Sequence, residues 1–383
     1  MKIAIDVRHL CAPRTSGIGR YTIELIKEMA NQAPEIRFLL FAAGSQNTLS
    51  HLPDFKASNI FITRKQTPNR IISALLRLPN GPALEDFLPE QPDLWFFPNI
   101  NIIRTKLPYV ITVHDLSFDI YPEFFTRKDR SWYKAAKTKD LIKNAKHILA
   151  VSDNTKQDLT SRFQIPDSKI TVTHLGADKN YHPKTEPCDK NFLLLNKIKF
   201  PYFLSLCALE PRKNIESILE AYEIWRDQKP QRFNDSTTPH LVVAGGYGWK
   251  AKHIFKLVEK SKYNNCIHLI GYVEEKHKPA LYRNATAFVF PSFYEGFGLP
   301  VVEAAACGAK IITSFSGSLP EVAPENAIFI DPYNVSDLVK AFDQITISPI
   351  ASVSYERIAI RPYILPPEFS WKITAQKTLE QLI

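Results

Sequence analysis

No stretch of this sequence offers the roughly 20 consecutive apolar residues that a membrane-spanning helix needs. It also lacks a signal-peptide core, since the run from Met1 to Val7 alternates as a strand does and meets Asp6 and Arg8 almost at once. Both absences predict a chain that starts folded and stays in the cytoplasm. Cysteine pairs are missing too. Cys11, Cys188, Cys207, Cys266 and Cys307 are odd in number and scattered, with no Cys-x-x-Cys spacing. That usage argues against a disulfide framework or a zinc site and predicts free thiols in a reducing compartment.

What is present is an ordinary globular composition, 45% hydrophobic and 23% charged over 383 residues, a length that predicts two domains. The net charge of +9 is unevenly spread. Residues 1–190 hold 27 Lys/Arg against 20 Asp/Glu, and within Phe124–Lys146 eight Lys/Arg face only Asp129 and Asp140. A basic surface suits nucleic acid, an acidic substrate or an anionic membrane, and composition alone does not choose among them. No RNA- or DNA-binding module accompanies the charge, so no nucleic-acid partner is expected.

Short β-branched or aromatic runs alternate with helical patterns along the chain. Strands are expected at Lys2–Val7, Arg37–Ala42, Asn59–Thr63, Asp93–Phe97, Tyr109–Val113, His147–Val151 and Lys169–His174. Helices are expected at Gly19–Ala30, Lys128–Ala145 and Asp153–Arg162. The theme restarts at Tyr202–Ala208 and continues through His240–Ala244, Cys266–Ile270, Ala287–Pro291, Lys310–Thr313 and Ala327–Ile330. The helices of this half are Asn214–Trp225, Trp249–Ser261, Lys276–Asn284, Pro300–Cys307 and Val335–Ile345. This reads as α/β, with two Rossmann-like domains facing across a cleft and ligands outside the carboxyl ends of the strands. The expected division is 1–185, then 195–360, with the irregular segment Asn180–Lys199 as linker. Pro362, Pro366 and Pro367 precede a last helix within 366–383, which has no strand to follow and is expected to pack back across the interdomain region.

The most informative segment runs from Pro291 to Gly308, as Pro-Ser-Phe-Tyr-Glu-Gly-Phe-Gly-Leu-Pro-Val-Val-Glu-Ala-Ala-Ala-Cys-Gly. It leads from a strand end through a glycine loop into a helix. Pro300 suits the first turn, and the amides near Phe297, Gly298 and Leu299 are the ones a helix start leaves for anionic or hydroxyl oxygens. Glu295 in the loop and Glu303 one turn inside the helix can accept hydrogen bonds from vicinal hydroxyls, as polyol recognition requires. Read singly, either glutamate is equally a turn or helix-start residue.

This segment resembles the Glu-x7-Glu signature of retaining GT-B glycosyltransferases of family 4, the group with many bacterial polysaccharide mannosyl- and glucosyltransferases. Ser316-Gly-Ser-Leu-Pro-Glu-Val322, Leu209-Glu-Pro-Arg-Lys-Asn214, Ser16-Gly-Ile-Gly-Arg-Tyr21, Val113-His-Asp-Leu116 and Ala150-Val-Ser-Asp153 resemble it as well, in order and across nearly the whole chain. The resemblance implies that Arg212 and Lys213 bind a donor diphosphate, with Gly17 and Gly19 approaching it from the other domain. It gives Glu303 the ribose. Glu295, Phe297, Gly298 and Leu299 receive the sugar hydroxyls, Tyr272 and Val273 border the base, and His114 lies near the anomeric carbon. Where relatives commonly carry Gly-Thr, this chain has Cys207-Ala208.

The implied activity is transfer of a hexose, mannose favoured, from a nucleotide-sugar to a saccharide or lipid-linked acceptor, with retention of configuration. GDP-mannose is the favoured donor and a UDP-sugar the second. No cofactor is expected, and no metal, since no Asp-x-Asp pair stands where a sugar-nucleotide metal site needs one. Docking of 124–146 on an anionic membrane, helped by Phe124, Phe125, Trp132 and Tyr133, would make the enzyme peripheral on the inner face of the cytoplasmic membrane. Arg70–Leu78 is a second amphipathic run. A GT-B epimerase, a phosphorylase carrying pyridoxal phosphate and an inactive membrane-peripheral binding protein remain alternatives.

Overall fold

In a computed structural model of the chain, residues 1–228, 238–248, 251–347 and 365–383 are described. The chain divides into two compact units, Met1–Gly176 with Pro367–Ile383, and Ala177–Pro366. Trp249, the expected start of one helix, and Pro362 lie outside the described residues.

The first unit holds strands β1 (Lys2–Asp6), β2 (Arg37–Ala43), β3 (Ile60–Lys65), β4 (Leu94–Phe97), β5 (Tyr109–Val113), β6 (His147–Ala150) and β7 (Ile170–Val172). They pair in parallel in the order β3-β2-β1-β4-β5-β6-β7. The second unit holds β8 (Tyr202–Leu206), β9 (His240–Ala244), β10 (Ile267–Gly271), β11 (Ala287–Phe290), β12 (Ile311–Ser314) and β13 (Ile328–Ile330), ordered β10-β9-β8-β11-β12-β13. Each order reverses beside its first strand. The gap between β1 and β4, and that between β8 and β11, is therefore where a doubly wound sheet opens a ligand crevice at its carboxyl edge.

The inner strands are continuous apolar runs because helices cover both faces of a parallel sheet. Leu94, Trp95, Phe96 and Phe97 of β4 are all buried, as are Tyr202 to Leu206 of β8. In the first unit Trp95 of β4 stacks on Phe97 of the same strand at 5.4 Å and meets Phe41 of β2 edge-on, joining the two strands that flank β1.

Three expectations are corrected. The single helix over Lys128–Ala145 is two, Arg127–Ala135 and Thr138–Asn144, parted by Lys137 in the left-handed conformation at φ 48°. The first begins with Thr126 and Asp129 bonding reciprocally across its start, a capping box that the sequence carries. The expected linker contains a helix, Pro187–Leu195, whose Asp189 forms a buried fork with Arg283 at 2.7 and 2.8 Å. Its composition reads as polar and irregular because an ion pair, rather than an apolar stripe, seats part of it. The basic segment's aromatics are largely engaged within the protein. Tyr133 stacks on Phe118 at 4.3 Å and meets Phe125 edge-on, and Phe124 stacks on Tyr121, whereas Trp132 is exposed.

The last helix, Trp371–Leu382, packs on Gly17–Gln32 within the first unit. Gln32 Nε2 donates to the Lys372 carbonyl at 2.9 Å and Thr374 Oγ1 to the His174 carbonyl at 2.5 Å. Gly176 permits this seat, since a Cβ there would lie 2.4 Å from the Trp371 nitrogen. No helix among the described residues is long and apolar enough to cross a membrane.

Candidate active site

In the second unit, two loops leave the carboxyl ends of neighbouring strands β8 and β11 and are fastened to one another. Asn214 adopts φ 59° at the start of the helix Ile215–Asp227, and its Nδ2 donates to the carbonyls of Pro291 at 3.1 Å and Pro332 at 2.8 Å. The Phe293 amide donates to the Arg212 carbonyl at 2.9 Å. This joint brings Arg212 and Lys213 against Glu295, far away in sequence. Arg212 Nη1 donates to Glu295 Oε2 at 3.0 Å and to the Tyr294 carbonyl at 2.6 Å, while Lys213 Nζ reaches Glu295 Oε1 at 2.5 Å. Arg212 Nη2 also reaches Glu210 Oε1 at 3.0 Å. Burial alone would raise the Glu295 pKa, but the charges of Arg212 and Lys213 override it and hold the carboxyl at about 2. Two cations at a helix start, expected to bind an external diphosphate, thus already face internal carboxylates, Glu295 for both and Glu210 for Arg212.

Gly298 is the hinge of the second loop. It lies at φ 91°, just before the helix Leu299–Ala306, and a Cβ on it would come 2.7 Å from Leu319 Cδ2. Gly317, at φ 59°, leaves room for the Glu295 carbonyl, which a Cβ would approach to 2.5 Å. Phe297 is buried and Leu299 half-buried beside them.

Glu303 lies one turn into that helix in a different setting. Tyr282 Oη donates to its Oε2 at 3.0 Å, and both side chains are buried. Lys278 sits one turn before Tyr282 on the helix Lys278–Asn284 and pairs with Glu275, to which Tyr181 also donates at 3.0 Å. Burial pushes the Glu303 carboxyl up, Lys278 opposes it and Glu275 adds to it, with Tyr282 bonding to the charged form. The balance is about 7. Glu295 and Glu303 therefore differ in kind: one is locked as a carboxylate, the other is poised to gain or lose a proton near neutrality.

Around the end of β10, Gly271 is left-handed, Tyr272 is exposed and Val273 is buried. Cys207 is buried, with burial pushing its thiol up to about 12, and only Ala208 of that pair is exposed. The Cys207 carbonyl needs glycine opposite, because a Cβ on Gly245 would fall 1.7 Å from it.

In the first unit, His114 follows β5 and its Nε2 lies 2.8 Å from the Pro98 carbonyl, beyond β4. A carbonyl only accepts, so Nε2 carries the proton, and burial keeps the ring neutral by lowering its pKa. Nδ1 then holds the lone pair. Tyr21 meets the ring edge-on at 4.9 Å. Ser16 caps the helix Gly17–Gln32 by accepting from the Gly19 amide at 3.1 Å, and a Cβ on Gly17 would meet nothing within 4 Å. Below them Asp6 and Arg8 form a buried fork at 2.7 and 2.9 Å, which Asn101 supports at 3.2 Å.

The order and spacing of these parts agree with comparisons to known proteins. Residues 15–181 match the family model "Glycosyltransferase Family 4", and residues 191–360 match "Glycosyl transferases group 1". The chain is 31% identical to the O-antigen chain mannosyltransferase B of Escherichia coli, over 99% of its own length and 98% of the relative's. The chain is a family 4 glycosyltransferase. Sucrose-phosphate synthase from Thermosynechococcus elongatus shares its fold with a TM-score of 0.75 at 18% identity, covering 100% of this chain and 98% of that one. The Anabaena protein HepE, solved with UDP and glucose, gives 0.66 at 16%, covering 100% and 99%. Two parallel-sheet α/β units of the GT-B type, a nucleotide-sugar donor and a saccharide acceptor follow from membership of this family.

Sequence reasoning names Arg212, Lys213, Glu295 and Glu303 but misses Glu210, Lys278 and Tyr282 beside them, and Asn214 as the residue that fastens the two loops. One signal was available: Lys278 and Tyr282 are four apart and so share one helix face.

Proposed function

We propose that this glycosyltransferase moves mannose from GDP-mannose to a growing cell-surface saccharide or its lipid-linked precursor, without a metal ion and with retention at the anomeric carbon. A UDP-sugar is the second donor candidate, favoured by the UDP and glucose found with HepE. Mannose and the saccharide context follow the E. coli relative's name. The observation that carries the mechanism is the Arg212–Glu295–Lys213 cluster at the β8/β11 crevice. A diphosphate offers the two cations a second set of anionic oxygens beside Glu295 and Glu210, and it draws them as it binds. Glu295 is then released towards the sugar hydroxyls, with the Phe297, Gly298 and Leu299 backbone beside it. Glu303 accepts from the ribose, while Tyr272 and Val273 border the base.

In the transfer step the anomeric carbon's bond to the phosphate oxygen breaks as its bond to the acceptor oxygen forms on the same face. The acceptor proton passes to the departing phosphate. Arg212 and Lys213 stabilise the charge that develops on the leaving group, and positioning supplies most of the remainder. In this reading His114 serves the reacting sugar through Nδ1, and Gly17 and Gly19 serve the diphosphate.

We further place the enzyme on the anionic inner face of the membrane. Residues 124–146 supply the positive charge and exposed Trp132 the aromatic anchor. The helix Asn69–Leu75 and its end add exposed Ile71 and Leu78 beside Arg70 and Arg77. A thermal-shift series with GDP-, UDP- and ADP-sugars tests the donor, because a ligand that binds only the native state raises its stability. GDP-mannose should give the largest rise, and a larger response to a UDP-sugar would reverse the order. A product that is an epimerised nucleotide-sugar or a sugar phosphate, or no product at all, would favour the alternative classes.

A further inference from the structure

Where the helix Arg127–Ala135 breaks before Thr138–Asn144, the first unit carries an open depression of about 400 Å³. Its floor is aromatic, formed by Tyr133 stacked on Phe118 at 4.3 Å and by Phe163. Its rim is cationic, with Arg130, Lys134, Lys137 and Lys139 all lining it. Among the described residues none of these four side chains forms an ion pair, and the nearest interaction is Lys139 Nζ over the Phe163 ring at 5.3 Å. Two acids share the rim. Asp119 is already neutralised by Arg162 at 2.7 Å, which leaves Asp140 against four positive charges. The helix break itself rests on Lys137 at φ 48° and ψ 46°, a conformation that glycine adopts freely and lysine only at a cost. A strained residue that keeps its charge at the rim of a cationic depression points to a ligand there.

We propose that this depression is a binding site for the phosphate of an anionic phospholipid headgroup. The four cations surround the phosphate oxygens, and the aromatic floor underlies the adjoining glycerol carbons. A bare phosphate would leave that floor unused. Trp132, two residues from both Arg130 and Lys134 and so on another face of that helix, is 36% exposed and lies outside the depression, and it is the aromatic floor that favours a lipid source. The proposal rests on the membrane-docking reading above and changes it from diffuse attraction to a built site.

Co-sedimentation of the full chain with phosphatidylcholine vesicles, with and without phosphatidylglycerol, tests it against two variants of equal charge. One variant empties the rim (Lys134→Gln, Lys137→Gly, Lys139→Gln). The other removes three exposed lysines of the same segment outside it (Lys128→Gln, Lys143→Gln, Lys146→Gln). The rim variant should lose at least about tenfold more partitioning than the control, since each lysine held at the surface contributes several-fold. Equal losses would overturn the site and leave diffuse docking standing. Wild-type protein that stays in the supernatant with anionic vesicles at low salt would overturn both. Inorganic phosphate should neither displace the protein from vesicles nor stabilise it through the rim lysines. If it does so in place of lipid, the site belongs to a soluble phosphate. Lys137→Gly alone should raise or preserve the melting temperature while weakening vesicle binding. A lower melting temperature with unchanged binding would make Lys137 a structural turn residue only.

Discussion

Replacing Glu303 by Gln should make this protein more stable and a poorer binder of nucleotide, both for one reason. Glu303 is buried, and its pKa is raised from 4.5 to about 7. A carboxyl whose folded pKa lies above its unfolded value costs nothing while protonated below about pH 4.5. The cost grows as pH rises towards 7 and is constant beyond it. A rise of this size corresponds to about 3 kcal/mol at pH 8, and to about 1 kcal/mol at pH 5, where the folded state is still protonated. Gln never ionises and still accepts from Tyr282, so the variant recovers most of that energy. At about 2–4 °C per kcal/mol for a unit of this size, the melting temperature should rise by several degrees at pH 8 and by little at pH 5. In the same variant the charge-assisted bond to the ribose is lost, and GDP or UDP affinity should fall by about ten- to a hundredfold. Thermal unfolding at the two pH values and calorimetric titration of the free nucleoside diphosphates measure both. An unchanged or lowered melting temperature at pH 8 would refute the buried-charge argument, and an unchanged affinity would remove Glu303 from the ribose site.

Three further outcomes follow from the geometry. Arg212→Ala should lower turnover by orders of magnitude and destabilise the second unit by about 3 kcal/mol, because it leaves buried Glu295 short of a partner. Adding Glu295→Gln should restore the stability without the rate, and an active double variant would separate these residues from the chemistry. Gly176→Ala should loosen the helix Trp371–Leu382, whose backbone stands 2.4 Å from the added methyl; limited proteolysis that cuts variant and wild type alike would refute this seat. Turnover should persist in excess EDTA, and a complete loss restored by added divalent cation would defeat the proposed stabilisation of the leaving group by Arg212 and Lys213.

The two sheets were legible because their inner strands are buried on both faces, so each is a short β-branched or aromatic run that a helix rarely imitates. Tyr109–Val113 and His240–Ala244 are found at the very residues expected. The glycine loop and helix after Pro291 were legible for a related reason: Gly298 and Pro300 are local backbone chemistry. Interactions between distant segments were not. Nothing near Lys137 announces a helix break, since its side chain is a good helix former. The helix at Pro187 hid in polar composition because Asp189 is satisfied by Arg283, 94 residues away. Glu295 and Glu303 were both recognisable as hydroxyl acceptors, but the opposite directions of their pKa shifts depend on burial and on Arg212, Lys213, Lys278 and Tyr282, whose proximity only the fold creates.

The reaction we propose is transfer from a nucleotide-sugar to a saccharide hydroxyl with retention, driven by protein cations. Its most direct test is one reaction: the purified chain with GDP-α-mannose, a mannose-terminated oligosaccharide and excess EDTA, with the product's anomeric configuration read by NMR. The expected product is an α-linked mannose, with one GDP released per linkage formed. A β-linked product, or transfer that appears only after a divalent metal is restored, would contradict it.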